Sequence, residues 1–280
     1  MNTLKLINEG SNKLKQSNII SHQLDSEILL SKVLNKTREN LLINLEQNID
    51  RKNVKKFEKL IRRRSLNEPI AYILKKKEFW SRNFEINNNT LIPRPETELM
   101  VEKLVYIYKQ KKINILDIGT GSGCILISLL SELKQSYCIG IDISKKALKI
   151  AIKNSKKNNQ KNNIKFLNRS LNNFYHKKFD LIVSNPPYIR TRDIKNLDRS
   201  IKFYEPKIAL DGGNDGLDVI KKVIYKSKEI LKVNGLLALE IGNGQLRKVS
   251  ALLLKNLYRI EHNIRDYKNN TRCLIAKYIR

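Results

Sequence analysis

The sequence predicts an α/β protein, a doubly wound and mostly parallel sheet preceded by a small helical domain. Three observations predict this architecture. From residue 113 onward, short apolar segments alternate with amphipathic helical segments, as in repeated βαβ units. A glycine-rich loop follows the first of these strands. Residues 1–74 instead carry their apolar side chains at helical spacing throughout.

Residues 1–74 are predicted to form a helical domain. Ser21 is expected to cap a helix over His22–Asn35, and Asp50 to cap a second helix over Arg51–Leu66. A shorter segment begins at Thr37. The helices have regular apolar faces and bring no cluster of reactive side chains. We therefore interpret residues 1–74 as a substrate-recognition domain.

Residues 75–92 are predicted to be a β-hairpin linker. Tyr72–Leu74 and Phe79–Ile86 are both expected to be extended, because aromatic and β-branched residues are enriched in strands. The segment P-R-P-E-T-E follows at 93–98 and opens the last domain, 93–280. Pro95 suits the first turn of a helix, with acidic residues favourable behind it.

The alternation of residues 93–280 predicts a seven-stranded sheet. The expected strands are Ile113–Ile118, Tyr137–Ile141, Ile164–Leu167, Phe179–Ser184, Leu236–Ile241, Tyr258–Arg265 and Cys273–Ile279. The expected helices between them are Cys124–Leu133, Lys145–Asn158, Asp218–Leu231 and Gln245–Asn256. Right-handed crossovers make the first five strands parallel, and the last two form a hairpin at one edge.

Composition limits the class of protein without deciding the function. The three cysteines lack metal-ligand spacing, which indicates core residues of a reducing cytoplasm and no metal site. The sequence has no apolar run of about 18 residues and no signal-peptide core, so neither a membrane span nor secretion is expected. The net charge of +28 fits a nucleic-acid partner. A compositional drift toward Lys, Asn and Ile would produce the same charge.

The glycine loop Gly119-Thr120-Gly121-Ser122-Gly123 predicts a ligand at a helix N-terminus. A dinucleotide site is the first competitor, but the third glycine comes one residue too early for its usual motif. Asp142 ends the second strand, where a carboxylate can accept both hydroxyls of a ribose. Its alternative role is an N-cap for the following helix.

The tetrapeptide Asn185-Pro186-Pro187-Tyr188 follows the fourth strand, at the strand end where α/β proteins bind ligands. Prolines cannot donate to a sheet, so the strand must end before them. The turn then offers an amide oxygen, an unpaired carbonyl and an aromatic face. These features suit a planar NH2 group. The alternative is a plain proline turn with a surface tyrosine.

The combination of the glycine loop, Asp142 and N-P-P-Y resembles the S-adenosylmethionine-dependent methyltransferase fold. The segments PRPETE, DIGTGSGC, VSNPPYI, Phe203–Pro206 and Asp266-Tyr267 together resemble the protein-(glutamine-N5) methyltransferases that modify release factors, the PrmC/HemK family. The resemblance covers essentially the whole chain. It implies S-adenosylmethionine as cofactor and the glutamine of the Gly-Gly-Gln loop of class 1 peptide chain release factors as substrate. A cytoplasmic monomer is expected.

The same resemblance assigns the site residues. Those implied to bind the cofactor are Gly119, Thr120, Gly121, Ser122, Gly123, Asp142, Leu171 and Asn185. Asn185, Pro186, Pro187 and Tyr188 are implied to hold the glutamine amide, and Asn185, Pro186 and Tyr188 to be catalytic. The chain departs from the family at Ser170-Leu171, where an acidic residue followed by an aromatic is usual. Losing that acceptor is expected to cost about 1–3 kcal/mol of cofactor affinity.

Two other functions stay open from the residues alone. The first is a nucleic-acid adenine or cytosine amino-methyltransferase, which the N-P-P-Y turn and the basic charge would also suit. The second is a basic RNA- or ribosome-binding protein with a degenerate methyltransferase fold. Salt-dependent RNA binding would favour either one, and cofactor binding would separate them. Nucleic acid is thus a possible but not a required partner.

Overall fold

The computed structural model describes residues 1–175 and 178–279. The chain divides into two compact units. The first unit is Met1–Lys76 together with Asp198–Tyr204. The second unit is Lys77–Leu197 together with Glu205–Arg280. A short segment late in the sequence therefore belongs to the N-terminal unit, which sequence periodicity did not predict.

The N-terminal part of the first unit is helical, as the apolar spacing predicts. Its helices are α1 (Thr3–Gln16), α2 (His22–Leu34), α3 (Arg38–Ile43), α4 (Arg51–Ser65) and α5 (Ile70–Leu74). They enclose a core that includes Leu6, Ile7, Leu14, Leu29, Leu30, Phe57 and Ile61.

One local prediction in this unit is wrong. Tyr72–Leu74 is not extended but lies in α5, where Tyr72 and Ile73 are buried. Ser21 is the N-cap residue of α2, as predicted, but its hydroxyl donates to Asp25 Oδ2 at 3.0 Å and makes no capping bond to the backbone. The prediction for Asp50 is confirmed, since its Oδ1 accepts from the backbone N–H of Asn53 at 2.9 Å.

Gly10 of α1 sits against the core of the first unit. A Cβ at this position would lie 2.6 Å from Phe57 Cζ and 2.6 Å from Ser26 Oγ. The Phe57 ring is buried, and the Ser26 hydroxyl is held by the Ile7 carbonyl, so neither can retreat easily. We expect Gly10→Ala to lower the free energy of unfolding by about 1–2 kcal/mol, despite the better helix propensity of alanine.

Denaturant unfolding would measure this effect. Glu9→Ala in the same helix is the control, because Glu9 is exposed and its loss should change stability by less than about 0.5 kcal/mol. A Gly10→Ala protein as stable as the Glu9→Ala control would contradict the close packing of α1 against Phe57.

A two-stranded hairpin, β1 (Lys76–Phe79) and β2 (Arg82–Glu85), lies at the start of the second unit, with only its first residue assigned to the first unit. Trp80 and Ser81 connect the strands with positive φ angles of 53° and 52°, as a tight hairpin turn requires. Helix α6 (Pro95–Tyr108) follows, with Pro95 at its first position. The predicted helix start within P-R-P-E-T-E is therefore confirmed.

A seven-stranded sheet dominates the described part of the second unit. Its strands are β3 (Asn114–Ile118), β4 (Tyr137–Asp142), β5 (Ile164–Asn168), β6 (Phe179–Ser184), β7 (Leu231–Glu240), β8 (Tyr258–Arg265) and β9 (Thr271–Tyr278). The later helices of the chain are α7 (Cys124–Glu132), α8 (Lys145–Lys157), α9 (Arg199–Lys202, in the first unit), α10 (Asp218–Ile230) and α11 (Leu246–Lys255). Strand β7 begins five residues before its predicted start, because Leu231 already pairs with Phe179.

The strand order is β5-β4-β3-β6-β7-β9-β8. Strands β3 to β7 are parallel, and β9 joins them antiparallel and pairs with β8 as the edge hairpin. Leu181, Ile182 and Val183 of β6 are fully buried, and successive side chains enter the cores on opposite faces of the sheet. The predicted doubly wound sheet is thus confirmed.

The sheet topology brings the predicted motifs together. The chain leaves β3 toward β4 on one side and later returns to pair β6 on the other side. Ile118, the last residue of β3, pairs with Ile141 of β4 and with Ser184 of β6. The loops after these three strands therefore open at one point, where doubly wound sheets bind ligands. Within residues 1–175 and 178–279, no helix is long and apolar enough to cross a membrane.

Candidate active site

A cavity of about 760 Å³ lies at the carboxyl ends of β3, β4 and β6. Its wall includes the first part of the glycine loop, the end of β4, the turn after β5 and the first three residues of N-P-P-Y. The predicted site residues that line it are Gly119, Thr120, Gly121, Ser122, Asp142, Leu171, Asn185, Pro186 and Pro187. Gly123 and Tyr188 are not among the lining residues.

The glycine loop supports the cavity with its backbone. Gly119 and Gly121 have φ angles of +75° and +56°, which glycine tolerates best. A Cβ at Gly119 would meet no atom within 4 Å, and one at Gly121 would approach only the Gly119 carbonyl, at 3.9 Å. Both positions therefore leave open space beside the backbone, into which a ligand can come close.

Gly123 serves packing instead of the cavity. Its φ is +79°, and a Cβ there would lie 3.2 Å from Ala151 Cβ and 3.2 Å from Ile127 Cδ1. This glycine lets α7 start close to α8. The sequence pattern cannot distinguish such a glycine from one that faces a ligand.

Asp142 connects two loops of the site. Its Oδ2 accepts from the Gly121 N–H at 2.9 Å, and its Oδ1 accepts from the Ser144 N–H at 2.8 Å. The N-cap of α8 is Ser144, whose hydroxyl accepts from Ala147 N–H at 3.1 Å, so the capping alternative for Asp142 is wrong. Burial raises the pKa of the Asp142 carboxyl. The carboxylate thus holds the glycine loop and lines the cavity at once.

Asp117 lies one residue before the cavity wall, in β3. Both of its carboxylate oxygens and the Thr120 hydroxyl are buried without a hydrogen-bond partner among the described residues. Burial raises the pKa of Asp117 to about 7. Buried polar atoms without partners are rare, and Thr120 lines the cavity, so its hydroxyl can bind a polar group there.

The N-P-P-Y turn faces the cavity with three of its four residues. Pro186 is buried, and Asn185 and Pro187 are half-buried in the wall. The Tyr188 ring packs against the core beneath the sheet instead, and its hydroxyl donates to Glu240 Oε1 at 3.3 Å. Burial raises the pKa of the Tyr188 phenol. The Tyr188 ring, which the sequence predicts to pack on the substrate amide, therefore does not line the cavity.

Two further residues are linked to Asn185 by hydrogen bonds, and sequence patterns did not single them out. Thr97, from the P-R-P-E-T-E segment, accepts from Asn185 Nδ2 at 3.4 Å and donates to Glu240 Oε2 at 2.6 Å. Glu240 ends β7 and is buried. Burial raises the pKa of Glu240 to about 7. The one available signal was a glutamate that directly follows the apolar, buried second half of β7.

Arg94 and Glu205 stabilise another part of the wall. Arg94 Nη2 donates to Glu205 Oε1 at 2.5 Å, and the Ile92 N–H donates to Glu205 Oε2 at 3.2 Å. The Glu205 carboxylate is almost completely buried. Truncating Arg94 would leave this charge unpaired, which is costly in a protein interior. The pair therefore fixes the segment that leads into α6.

The turn after β5 forms another part of the cavity wall. Ser170 and Leu171 both line the cavity, and the Ser170 hydroxyl accepts from the Asn172 N–H at 3.3 Å. Leu171 also packs against the core of the sheet, so its side chain is a fixed apolar surface. A serine at this place offers a neutral acceptor where a carboxylate would offer a charged one.

These residues fit the cofactor that the resemblance implies. The open backbone at Gly119 and Gly121 leaves room for a nucleoside, and Asp142 is an acceptor for hydroxyl groups. The buried Thr120 hydroxyl belongs to a residue of the cavity wall and is available to a polar group of the cofactor. Leu171 gives an apolar wall for a planar base. No cluster of three His, Cys, Asp or Glu side chains suited to a metal ion occurs within the described ranges.

Comparisons with known proteins match both the helical and the methyltransferase part of the chain. A family profile described as "PrmC N-terminal domain" matches residues 5–74, and one described as "Methyltransferase domain" matches residues 109–270. Among solved structures, the human Mettl16 catalytic domain bound to an RNA hairpin covers 70% of this chain and 76% of its own. Its TM-score is 0.59 at 17% identity, so it shows the fold alone.

Several curated relatives are similar over nearly the whole chain. A bifunctional methyltransferase of Rickettsia typhi is 39% identical over 96% of this chain, but the chain spans only 56% of that protein. A release factor glutamine methyltransferase of Fusobacterium nucleatum is 38% identical and covers 98% of this chain and 78% of its own.

A release factor glutamine methyltransferase of Buchnera aphidicola from Acyrthosiphon pisum is 42% identical over 99% of both chains. This similarity includes the helical unit as well as the methyltransferase domain. The chain therefore belongs to the release factor glutamine methyltransferase family.

Proposed function

We propose that this chain methylates the side-chain amide nitrogen, N5, of the glutamine in the Gly-Gly-Gln motif of class 1 peptide chain release factors. The cofactor is S-adenosylmethionine. The observation that carries the proposal is the placement of Asn185 in the same cavity as the open backbone of Gly119 and Gly121. A relative that carries the release factor glutamine methyltransferase name and is matched along 99% of its length supports the same substrate.

The residues of the N-P-P-Y turn act by orientation. When bound, S-adenosylmethionine supplies an electrophilic methyl group. Asn185 Oδ1 and the Pro186 carbonyl each accept one N–H of the substrate amide, which directs its nitrogen lone pair toward the incoming methyl group. Pro187 keeps the turn rigid, and Tyr188 holds it from behind through Glu240. An amide nitrogen is a weak nucleophile, so alignment and the exclusion of water supply most of the catalysis.

The domain organisation is part of the proposal. Residues 1–74 recognise the protein substrate, 75–92 are a hairpin linker, and 93–280 carry the methyl transfer. The match of residues 5–74 to the PrmC N-terminal domain profile supports a separate domain at this position. We propose a cytoplasmic monomer. Nucleic acid is not required for this activity.

Mass spectrometry of a release factor incubated with the protein and S-adenosylmethionine tests the activity directly. We expect one added methyl group on the peptide that contains Gly-Gly-Gln, located on the glutamine side chain by fragmentation. A release factor with this glutamine replaced by alanine is the control. Methylation of RNA in place of the release factor would refute the proposed substrate.

Ser170 provides a test of the cofactor orientation. If the base of the cofactor packs on Leu171 beside Ser170, Ser170→Asp supplies it with a charged acceptor. Cofactor binding should then tighten by about tenfold, roughly 1–2 kcal/mol. Asn173→Asp is the matched control, because it adds the same charge to an exposed position three residues away that does not line the cavity. Calorimetry with S-adenosylmethionine measures both. Equal tightening by the two variants would indicate a general charge effect.

A further inference from the structure

We infer that Glu240 is a positioning residue for the reaction: as an acceptor of two hydrogen bonds, it sets the orientation of the Asn185 amide through Thr97. The inference rests on the proposed function, because it explains how Asn185 presents its oxygen to a substrate amide. Glu240 has no place in the cavity wall, so its action is indirect.

Hydrogen bonds connect Glu240 to the N-P-P-Y turn in two ways, through Thr97 to Asn185 and directly to Tyr188. Glu240 lies at the carboxyl end of β7 and is 3% exposed. Its Oε2 accepts from Thr97 Oγ1 at 2.6 Å, and its Oε1 accepts from Tyr188 Oη at 3.3 Å. Thr97 Oγ1 in turn accepts from Asn185 Nδ2 at 3.4 Å. The carboxylate thus connects to the N-P-P-Y turn at both its first and its last residue.

The direction of these hydrogen bonds follows from the chemistry of each group. An ionised carboxylate can only accept, so Thr97 must use its single hydroxyl hydrogen on Glu240. Toward Asn185 the Thr97 oxygen can then only accept. Asn185 must therefore turn its Nδ2 inward and its Oδ1 to the other side. The opposite amide orientation would place two acceptors, Thr97 Oγ1 and Asn185 Oδ1, against each other.

A substrate NH2 group needs an acceptor at this position. An Asn185 turned with Nδ2 outward would set donor against donor, and the substrate nitrogen would be misaligned. The ionised form of Glu240 therefore favours the productive orientation. A protonated Glu240 can donate to Thr97, which frees the Thr97 hydroxyl to donate to Asn185 and removes the constraint.

The surroundings of Glu240 place this change near neutral pH. Burial raises its pKa to about 7, and the neighbouring Glu96 carboxylate raises it further, while Thr97, Tyr188 and Arg272 oppose the increase. Cys273, its partner on β9, stays neutral because burial raises the pKa of the thiol well above its usual range. Since the productive form is the ionised one, activity should fall as the pH drops below about 7.

Kinetics of three variants test the inference. Glu240→Gln keeps the shape but can donate to Thr97, so kcat should fall about 10- to 100-fold, with KM for the release factor changed by less than about threefold. Thr97→Val should resemble it, whereas Thr97→Ser restores the hydroxyl and should recover most of the loss. The acidic limb of the kcat profile should be absent in Glu240→Gln. A Glu240→Gln enzyme with wild-type kcat and an unchanged pH profile would overturn the inference.

A second measurement needs neither cofactor nor substrate. In protein labelled with ¹⁵N-asparagine, the side-chain NH2 signal of Asn185 is identified by its loss in Asn185→Ala. We expect this signal to move as the pH is lowered from about 8 to about 6 in the wild type, and to be displaced and pH-independent in Glu240→Gln. Identical signals in the two proteins at every pH would overturn the inference. Failure of the wild type to methylate release factor would instead refute the proposed function and leave this measurement in force.

Discussion

Gly121→Val is expected to weaken binding of S-adenosylmethionine by about 100-fold or more. A side chain at Gly121 projects into open space beside the glycine loop, where the ligand must approach the backbone. The loop cannot move away to make room, because the Gly121 N–H is held by Asp142 Oδ2 at 2.9 Å. Calorimetry on the purified variant measures the affinity. The same variant should also lose methylation of the release factor at cofactor concentrations that saturate the wild type.

Valine at a positive φ also strains the backbone, so a matched control is needed. Gly244 has a φ of +77°, and a Cβ there would meet nothing within 4 Å, yet it does not line the cavity. Gly244→Val should therefore carry a similar backbone strain of about 1–2 kcal/mol without a change in cofactor affinity. If the two valine variants bound S-adenosylmethionine equally well, the glycine loop would not be the cofactor site. Binding of NAD in place of S-adenosylmethionine by the wild type would refute the cofactor assignment.

Asn185→Ala is expected to lower kcat/KM for the release factor roughly 30- to 1000-fold, a loss of about 2–4 kcal/mol of transition-state stabilisation. The alanine leaves one substrate N–H without an acceptor in a closed site, and also leaves Thr97 without its donor. Asn256→Ala is the control, because Asn256 makes a comparable side-chain bond to the Leu252 carbonyl at the end of α11, outside the cavity wall. Its kcat/KM should stay within about twofold of the wild type.

Asn185→Asp separates an acceptor role from acid–base chemistry. Aspartate keeps an acceptor toward the substrate but cannot donate to Thr97, so its activity should lie between those of the wild type and Asn185→Ala. Activity should rise with pH as this carboxyl ionises, because only the ionised form accepts at both oxygens. An Asn185→Asp enzyme more active than the wild type would show that the residue removes a proton and would contradict the positioning mechanism. Initial rates of methylation, measured across the pH range, decide between an acceptor role and proton removal.

The strand pattern and the residues that end each strand made most of the fold predictable, including where the N-P-P-Y turn begins. Pro186 and Pro187 end β6 by removing backbone donors, so the position of Asn185 followed from local chemistry. The short apolar segment Tyr72–Leu74 did not follow, because three apolar residues carry no period that separates strand from helix. Burial of Tyr72 and Ile73 in the first unit decided that α5 is helical.

The roles within motifs needed the tertiary structure. Gly121 and Gly123 look equivalent in the loop sequence, yet one faces the cavity and the other packs against Ala151. Tyr188 carries an aromatic ring in the right tetrapeptide, but its hydroxyl bonds to Glu240 and its ring packs in the core. The neighbours of each position come from other elements, so a local pattern cannot specify them.

By itself, the sequence determined the doubly wound sheet, the glycine loop, Asp142 and the turn that carries Asn185, because each depends on backbone propensities over a few residues. Only the tertiary structure decided which groups orient Asn185. Thr97 and Glu240 are 143 residues apart in the chain, and they meet because α6 begins beside the end of β7. A hydrogen bond over such a separation depends on how the whole sheet and its helices pack, which no local spacing encodes.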